Sequence, residues 1–397
     1  FHRYMNASYF YKTGEGSPYP KGAYESYDSP YRDYFHFSKG EEADWPENDT
    51  YEKWWGNDTL PKLNYENAIK LEEEILAIAK KWISPPFSCD GWRLDVAADL
   101  GHSEAYNHKF WKKFRKAVKE ANEDAVILAE HYGNPSAWLK GQEWDSIMNY
   151  DAFMEPVSWF LTGMEKHSDR AEPEKFGDGE LFFNTMRYNM AKLPENALDA
   201  AMNQLSNHDH SRFLTRTNRR AGRMKDGFDD AGIGIDFGLF RLASMLLFTW
   251  PGAPTLFYGD EVGVYGWTEP DCRRTYPWGK EDLELLEYHR YLIANRKNSK
   301  ALRDGNLMLL KSGKNWITYL RCSERQIALI IIYCGDEDCT LDIPLWRASI
   351  TDKMEIRRVL KTDGRGYNAG QTKRFTENGI LSSRLRAKTG KIYLIDF

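Results

Sequence analysis

Gly91-Trp92-Arg93-Leu94-Asp95-Val96-Ala97 is a short apolar run closed by a carboxylate. Read as a strand, it puts Arg93 and Asp95 on one face, because side chains alternate with period two. Upstream, Ile69, Ile75, Leu76 and Ala79 recur at helical spacing, so a helix is predicted from Glu66 to about Trp82, stopped by Ser84-Pro85-Pro86. Downstream, a helical stretch from Glu104 to Glu120 leads to a second apolar run, Ala125 to Ala129, which ends on Glu130. The same texture continues, with strands expected at Ser146 to Tyr150, Met202 to Asn207 and Thr255 to Tyr258, and helices at Phe237 to Thr249 and Asp282 to Arg296. Such alternation predicts parallel β/α units.

Three of these strand ends carry acids, Asp95, Glu130 and Asp209, the last in Leu205-Ser206-Asn207-His208-Asp209. A single acid there is as well explained by a helix cap or an ion pair. Three in the order Asp, Glu, Asp fit the cleavage of a glycosidic bond. A retaining glycosidase needs a nucleophilic carboxylate and a carboxylic acid roughly 5–5.5 Å apart, and a third acid can bind sugar hydroxyls as the oxocarbenium character develops. Arg93 would keep Asp95 ionised and oriented, the apolar run before Glu130 would favour its protonated form, and His208 would donate to a sugar hydroxyl.

These segments resemble the α-amylase family of glycoside hydrolases, the retaining (β/α)8-barrel enzymes. The resemblance implies Asp95 as nucleophile, Glu130 as acid/base and Asp209 as transition-state stabiliser. Leu60-Pro61-Lys62-Leu63-Asn64 is similar to the M-P-K-L-N signature of the neopullulanase, cyclomaltodextrinase and maltogenic amylase group, with Leu60 in place of Met. Pro270-Asp271-Cys272-Arg273-Arg274, preceded by Tyr258-Gly259-Asp260-Glu261, is similar to the D-P-D-C-R-R loop of that group. By this likeness Arg93, His208, His131, Glu269 and Arg273 touch the sugar. The chain departs from the pattern at Asp99, at His131-Tyr132 after the acid/base, at His210 in place of Thr, and at Glu269 in place of the first Asp of D-P-D. Those positions bear on sugar subsites rather than on the bond broken.

The family's first motif is absent from the chain, and residues 1–66 read as a loop-rich excursion of the kind that follows the third barrel strand. The expectation is therefore the carboxy-terminal portion of a longer polypeptide. It would comprise the excursion (1–66), the second part of the barrel with strands four to eight (67–300), and an antiparallel β-sandwich (301–397). The last is read from short strands at Asn306 to Leu310, Trp316 to Leu320, Gln326 to Tyr333, Thr340 to Ile343, Glu355 to Leu360 and Lys391 to Asp396. The fold class is thus α/β, an incomplete TIM barrel with a C-terminal β-domain. A barrel short of three strands leaves sheet edges unpaired, so this chain alone is expected to be inactive.

Composition excludes more than it assigns. The 397 residues are 42% hydrophobic, enough for a sizeable core, and the net charge of −5 leaves no basic footprint for nucleic acid. No apolar run reaches the length of a membrane span. Cys89, Cys272, Cys322, Cys334 and Cys339 are scattered without zinc spacing and read as free thiols, which favours a cytoplasmic over a secreted protein. No cofactor and no metal ligand are expected, calcium being the disfavoured alternative. Lys62 stands where the resemblance puts a calcium-binding aspartate, and an ammonium opposes a cation. The partner implied is an α-glucan or malto-oligosaccharide, with a homodimer of the full-length protein left open. Three functions fit: a hydrolase of α-1,4 glucosidic bonds, with α-1,6 bonds left open, in malto-oligosaccharides, cyclodextrins or pullulan; a 4-α-glucanotransferase using the same covalent intermediate; and a non-catalytic binding or scaffold relative.

Overall fold

The structure is a computed structural model that describes Met5 and residues 21–45, 48–227, 229–351 and 353–397. The chain divides into two compact units, one made of Phe1–His131 with Ala137–Asp145, the other of Tyr132–Ser136 with Ser146–Phe397. Much of the expected excursion, residues 1–4, 6–20, 46 and 47, lies outside the described residues.

In the first unit, strand β1 (Gly91–Leu94) pairs in parallel with β2 (Val126–Ala129), Gly91 opposite Val126 and Leu94 opposite Ala129. A Cβ on Gly91 would collide with the carbonyl oxygen of Val126, so the close start of this ladder requires glycine there. The connecting helix Glu104–Ala121 buries Phe110, Trp111, Phe114 and Val118, and Ser103 caps it, its Oγ accepting the Tyr106 N–H at 3.2 Å. The helix before β1 runs Ile69–Ile83, entering three residues later than the spacing of apolar positions suggested. The described part of the excursion is more ordered than its composition implied. Antiparallel bridges join Phe35 to Leu63, Phe37 to Tyr51 and Lys53 to Pro61, and Tyr34, Phe35, Ala23 and Leu71 form a small buried cluster. Aromatic residues of this loop-rich segment supply much of that core.

The second unit begins with β3 (Ser146–Ile147) and contains β4 (Met202–Gln204), parallel to β5 (Ala253–Thr255). The fifth strand lies upstream of the expected Thr255 to Tyr258. The ladder starts at once after Gly252, whose φ of 114° makes the turn into it. Helices Glu155–Thr162, Gly179–Met190, Phe237–Thr249 and Leu283–Asn298 cover this region.

From residue 306 the chain is antiparallel sheet, in β6 (Asn306–Gly313), β7 (Trp316–Cys322), β8 (Gln326–Tyr333), β9 (Cys339–Pro344), β10 (Glu355–Asp363), β11 (Gly366–Asn368), β12 (Thr372–Phe375), β13 (Ile380–Leu385) and β14 (Gly390–Asp396). Seven strands form one sheet in the order β11-β10-β14-β8-β7-β6, with β12 on β10, while β9 and β13 pair apart. β8 is central and buried on both faces. Ala328, Ile330 and Ile332 pack with Leu246 and Tyr288 of the helices, whereas Leu329 and Ile331 pack with Ile343, Leu381 and Leu385 of the small sheet.

Among the described residues no helix is long and apolar enough to cross a membrane, and no three His, Cys, Asp or Glu side chains cluster as a metal site. Lys62 pairs with Glu52 at 3.8 Å, and the five cysteines are free thiols.

Candidate active site

In the first unit Arg93 of β1 and Asp95, one residue past its end, meet in one place. The Arg93 guanidinium hydrogen-bonds Asp95 Oδ1 through Nη1, and its Nη2 lies 2.9 Å from Glu130 Oε2. One arginine thus touches both acids. The parallel register puts Glu130 one residue past the end of β2, its backbone N–H donating to the Leu94 carbonyl at 2.8 Å. The Asp95 side chain is 77% exposed and the Glu130 side chain 11%, so one acid faces open space and the other is largely enclosed.

Val96 contributes what residue types alone did not announce. This β-branched residue adopts φ 43°, ψ 46°, a left-handed conformation that bulky L-residues avoid. The turn aims the Val96 N–H at Glu130 Oε2, 3.1 Å away. Glu130 therefore sits among donors as well as apolar neighbours. Strain beside two acids is a common mark of a functional site. His131 is placed against Trp138 and Trp144, with ring centroids 5.0 and 5.8 Å away, so its ring packs on indoles of its own unit.

The second unit assembles Asp209, His208, Glu269 and Arg273. Buried Asn207 accepts the N–H groups of Asp209 and His210 on its Oδ1, at 3.0 and 3.1 Å, and donates to the Tyr150 hydroxyl at 3.2 Å. That Asx turn fixes where Asp209 leaves the end of β4's segment. The loop of Thr268 to Arg274 holds the same backbone from the other side. Thr268 Oγ1 donates to the Asp209 carbonyl at 2.5 Å, while Cys272 Sγ and Arg273 Nε donate to the His208 carbonyl at 3.1 and 2.9 Å. Arg273 also pairs with Glu269 at 2.5 Å and stands 3.7 Å from Asp209 Oδ1, and His208 Nε2 lies 3.3 Å from that same oxygen. Two ion pairs anchor the loop, Arg212 with Asp260 at 2.9 Å, both fully buried, and Arg274 with Asp271 at 2.9 Å.

His210 is buried beside Tyr150 and His167, and burial pushes its imidazole down to about 2, so it stays neutral. Its Nε2 is 3.1 Å from the Tyr132 hydroxyl. The roles of Thr268, Cys272 and Asn207 as backbone clamps went unread because each acts on a carbonyl or N–H that the one-letter code does not display.

The chain matches the family model described as "Alpha amylase, catalytic domain" over residues 10–370. It is 32% identical over 308 residues to a cyclomaltodextrinase from a Bacillus species, covering 77% of this chain and 49% of that protein. It is 33% identical over 287 residues to neopullulanase 2 of Thermoactinomyces vulgaris, covering 71% and 43%. Among solved structures, the debranching enzyme from Nostoc punctiforme superposes with a TM-score of 0.71 at 26% identity, over 92% of this chain and 70% of that one. The chain spans about half the length of the curated relatives it matches. A family match over most of the chain, together with antiparallel sheet after the parallel strands, makes this protein a member of the α-amylase family.

Proposed function

We propose that this chain carries the reacting carboxylates of a retaining α-glucan hydrolase that cleaves α-1,4 and α-1,6 glucosidic bonds in malto-oligosaccharides, cyclodextrins or pullulan. The observation that carries the reading is the Arg93 guanidinium shared between Asp95 and Glu130, which ties two acids of unlike exposure into one unit. In this reading Glu130 gives its proton to the leaving glycosidic oxygen while Asp95 attacks the anomeric carbon, forming a glycosyl ester. Glu130, now a carboxylate, then takes a proton from water, and the resulting hydroxide equivalent opens the ester with net retention. Asp209, with His208, Arg273 and Glu269 around it, binds hydroxyls of the distorted sugar. The names of the relatives, cyclomaltodextrinase and neopullulanase, support the substrate class. The same reading makes β1 to β5 the fourth to eighth strands of a (β/α)8 barrel, supported by the parallel pairing of β1 with β2 and of β4 with β5.

The test, run on the full-length protein that carries this chain, is chromatography of products from maltoheptaose, β-cyclodextrin and pullulan, with proton NMR of the first anomer released. The expected result is the α-anomer, and a loss of at least about 10³-fold in Asp95→Asn, as for removal of a nucleophile elsewhere. Hydrolysis undiminished in Asp95→Asn, or release of the β-anomer, overturns the reading. Products longer than the substrate would move the assignment to a 4-α-glucanotransferase.

A further inference from the structure

Trp54 and Trp55 form a short helical turn with Gly56, in which Trp55 takes φ 50°, ψ 29°. A bulky residue in the left-handed region is strained, and this one is also 80% exposed. Neither strain nor exposure of an indole helps folding. Both indole N–H groups nevertheless donate to one carboxylate oxygen, Asp99 Oδ2, at 3.2 Å from Trp54 and 3.1 Å from Trp55. An exposed indole N–H has water available to it, so a protein acceptor adds orientation rather than mere satisfaction. The two rings are thereby held 6.1 Å apart and crossed at 69°.

The clamp has a definite position. Asp99 ends the turn Ala97–Asp99, four residues beyond Asp95. A cavity of about 270 Å³ is lined by Asp95 together with Trp54, Lys62 and Asp99. A second cavity, of about 500 Å³, is lined by Trp54, Trp55 and Asp99 with Glu52, His102 and Trp138. Trp54 and Asp99 line both, so the clamp borders the cavity of the acid and the larger one alike. The larger cavity combines indole rings with polar groups, among them His102, whose Nε2 meets Glu52 at 2.7 Å. A pyranose has a matching mixed character, with C–H groups on its faces and hydroxyls on its rim, and the C–H groups suit the negative face of an aromatic ring.

We infer that Asp99 is a positioning residue, which fixes the Trp54–Trp55 pair as a platform for glucosyl units of a linear α-1,4-glucan extending away from Asp95. This rests on the glucan reading proposed above and adds to it the side chain that sets the platform's geometry. Asp99 is exposed, so its removal leaves the core intact.

The test is calorimetric titration of maltoheptaose into the Asp95→Asn chain, which spares the ligand, and into the same chain carrying Asp99→Ala, Asp99→Asn, Trp55→Ala or Asp99→Ala with Trp55→Ala. Asp99→Ala and Trp55→Ala should each weaken binding about tenfold, the usual cost of an aromatic anchor. The double variant should lose no more than either single one, because both remove the same platform. Asp99→Asn keeps an acceptor oxygen and should stay within about threefold of the parent. Equal affinity in the parent and Asp99→Ala overturns the clamp and leaves the glucan reading intact. Failure of the parent chain to bind maltoheptaose overturns both.

Discussion

At the scale of single residues, the neutral histidines of the second unit carry a measurable consequence. Burial pushes His289 down to about 4 and His210 to about 2, below the unperturbed value near 6.5 for an unfolded chain. Both are neutral when folded, while the unfolded chain takes up protons as pH falls below about 6.5. Their stabilisation is therefore full above that pH and is lost as acidity moves from it toward about 4 for His289 and further for His210. Urea unfolding should show stability falling between pH 7 and pH 5, by at most about 1.4 kcal/mol per pH unit for each histidine. Replacing His289 by Gln should flatten that slope; an unchanged slope would show that His289 does not supply it. The places of Asp95 and Glu130 at strand ends were legible at this scale, because each closes an apolar run, whereas Asp209 stands five residues past the end of β4. Val96 and the indole pair were not legible, since a left-handed φ and a shared acceptor oxygen are properties of folded backbone.

At the scale of elements, the strongest periodic signals translated best. Phe237–Thr249 and Gln326–Tyr333 have the boundaries their patterns suggested, because each is apolar enough to be buried throughout or nearly so. The strands that carry acids are shorter than read. β4 ends at Gln204, although Leu205, Ser206 and Asn207 continue as buried residues, since side-chain hydrogen bonds replace the ladder there. β12 went unread because Thr372, Lys373, Arg374 and Phe375 are all exposed on an edge, where no buried face imprints a period. β13 does alternate, exposed and buried, in Ile380 to Leu385, and that signal was there to be found. Chemical denaturation can rank these elements. Ile330→Ala in β8 should cost about 3 kcal/mol, since a buried β-strand methyl cluster loses both transfer and packing energy. Asp282→Ala, which removes the cap that accepts the Leu285 N–H at 2.9 Å, should cost about 1 kcal/mol. A cap variant as damaging as the core variant would contradict this ordering.

At the scale of the whole molecule, the chain passes from helix to antiparallel sheet near residue 305 without leaving its core. Leu242, Leu246 and Tyr288 of the helices share one buried cluster with Ile330, Ile332 and Ile392 of the sheet. Polar links follow the same path: Arg241 Nε donates to Thr362 Oγ1 at 3.0 Å, and the Tyr291 hydroxyl to the Val359 carbonyl at 2.7 Å. Helices Phe237–Thr249 and Leu283–Asn298 should therefore lose protection together with β8 and β14. In native-state hydrogen exchange, Leu246→Ala should lower the opening free energy of amides in β8 as well as in its own helix, by about 3 kcal/mol. Sheet amides indifferent to that change would show the sheet to be a separate cooperative unit.

What the sequence by itself determined was family and fold class. Periodicity made the alternating strands and helices, the later run of short strands, and the acids Asp95 and Glu130 at strand ends readable, because each depends on residue type and spacing within a few positions. The likeness to the α-amylase family rested on motifs of the same local kind. Only the tertiary structure decided which donors surround those acids: that Arg93 is shared by Asp95 and Glu130, that Thr268, Cys272 and Arg273 grip the backbone of His208 and Asp209, and that Asp99 gathers two indoles. The reason is physical. Most of these partners are brought together by chain reversal from tens of residues away, they meet through backbone atoms or single carboxylate oxygens, and no pattern of side-chain hydrophobicity encodes where such atoms point.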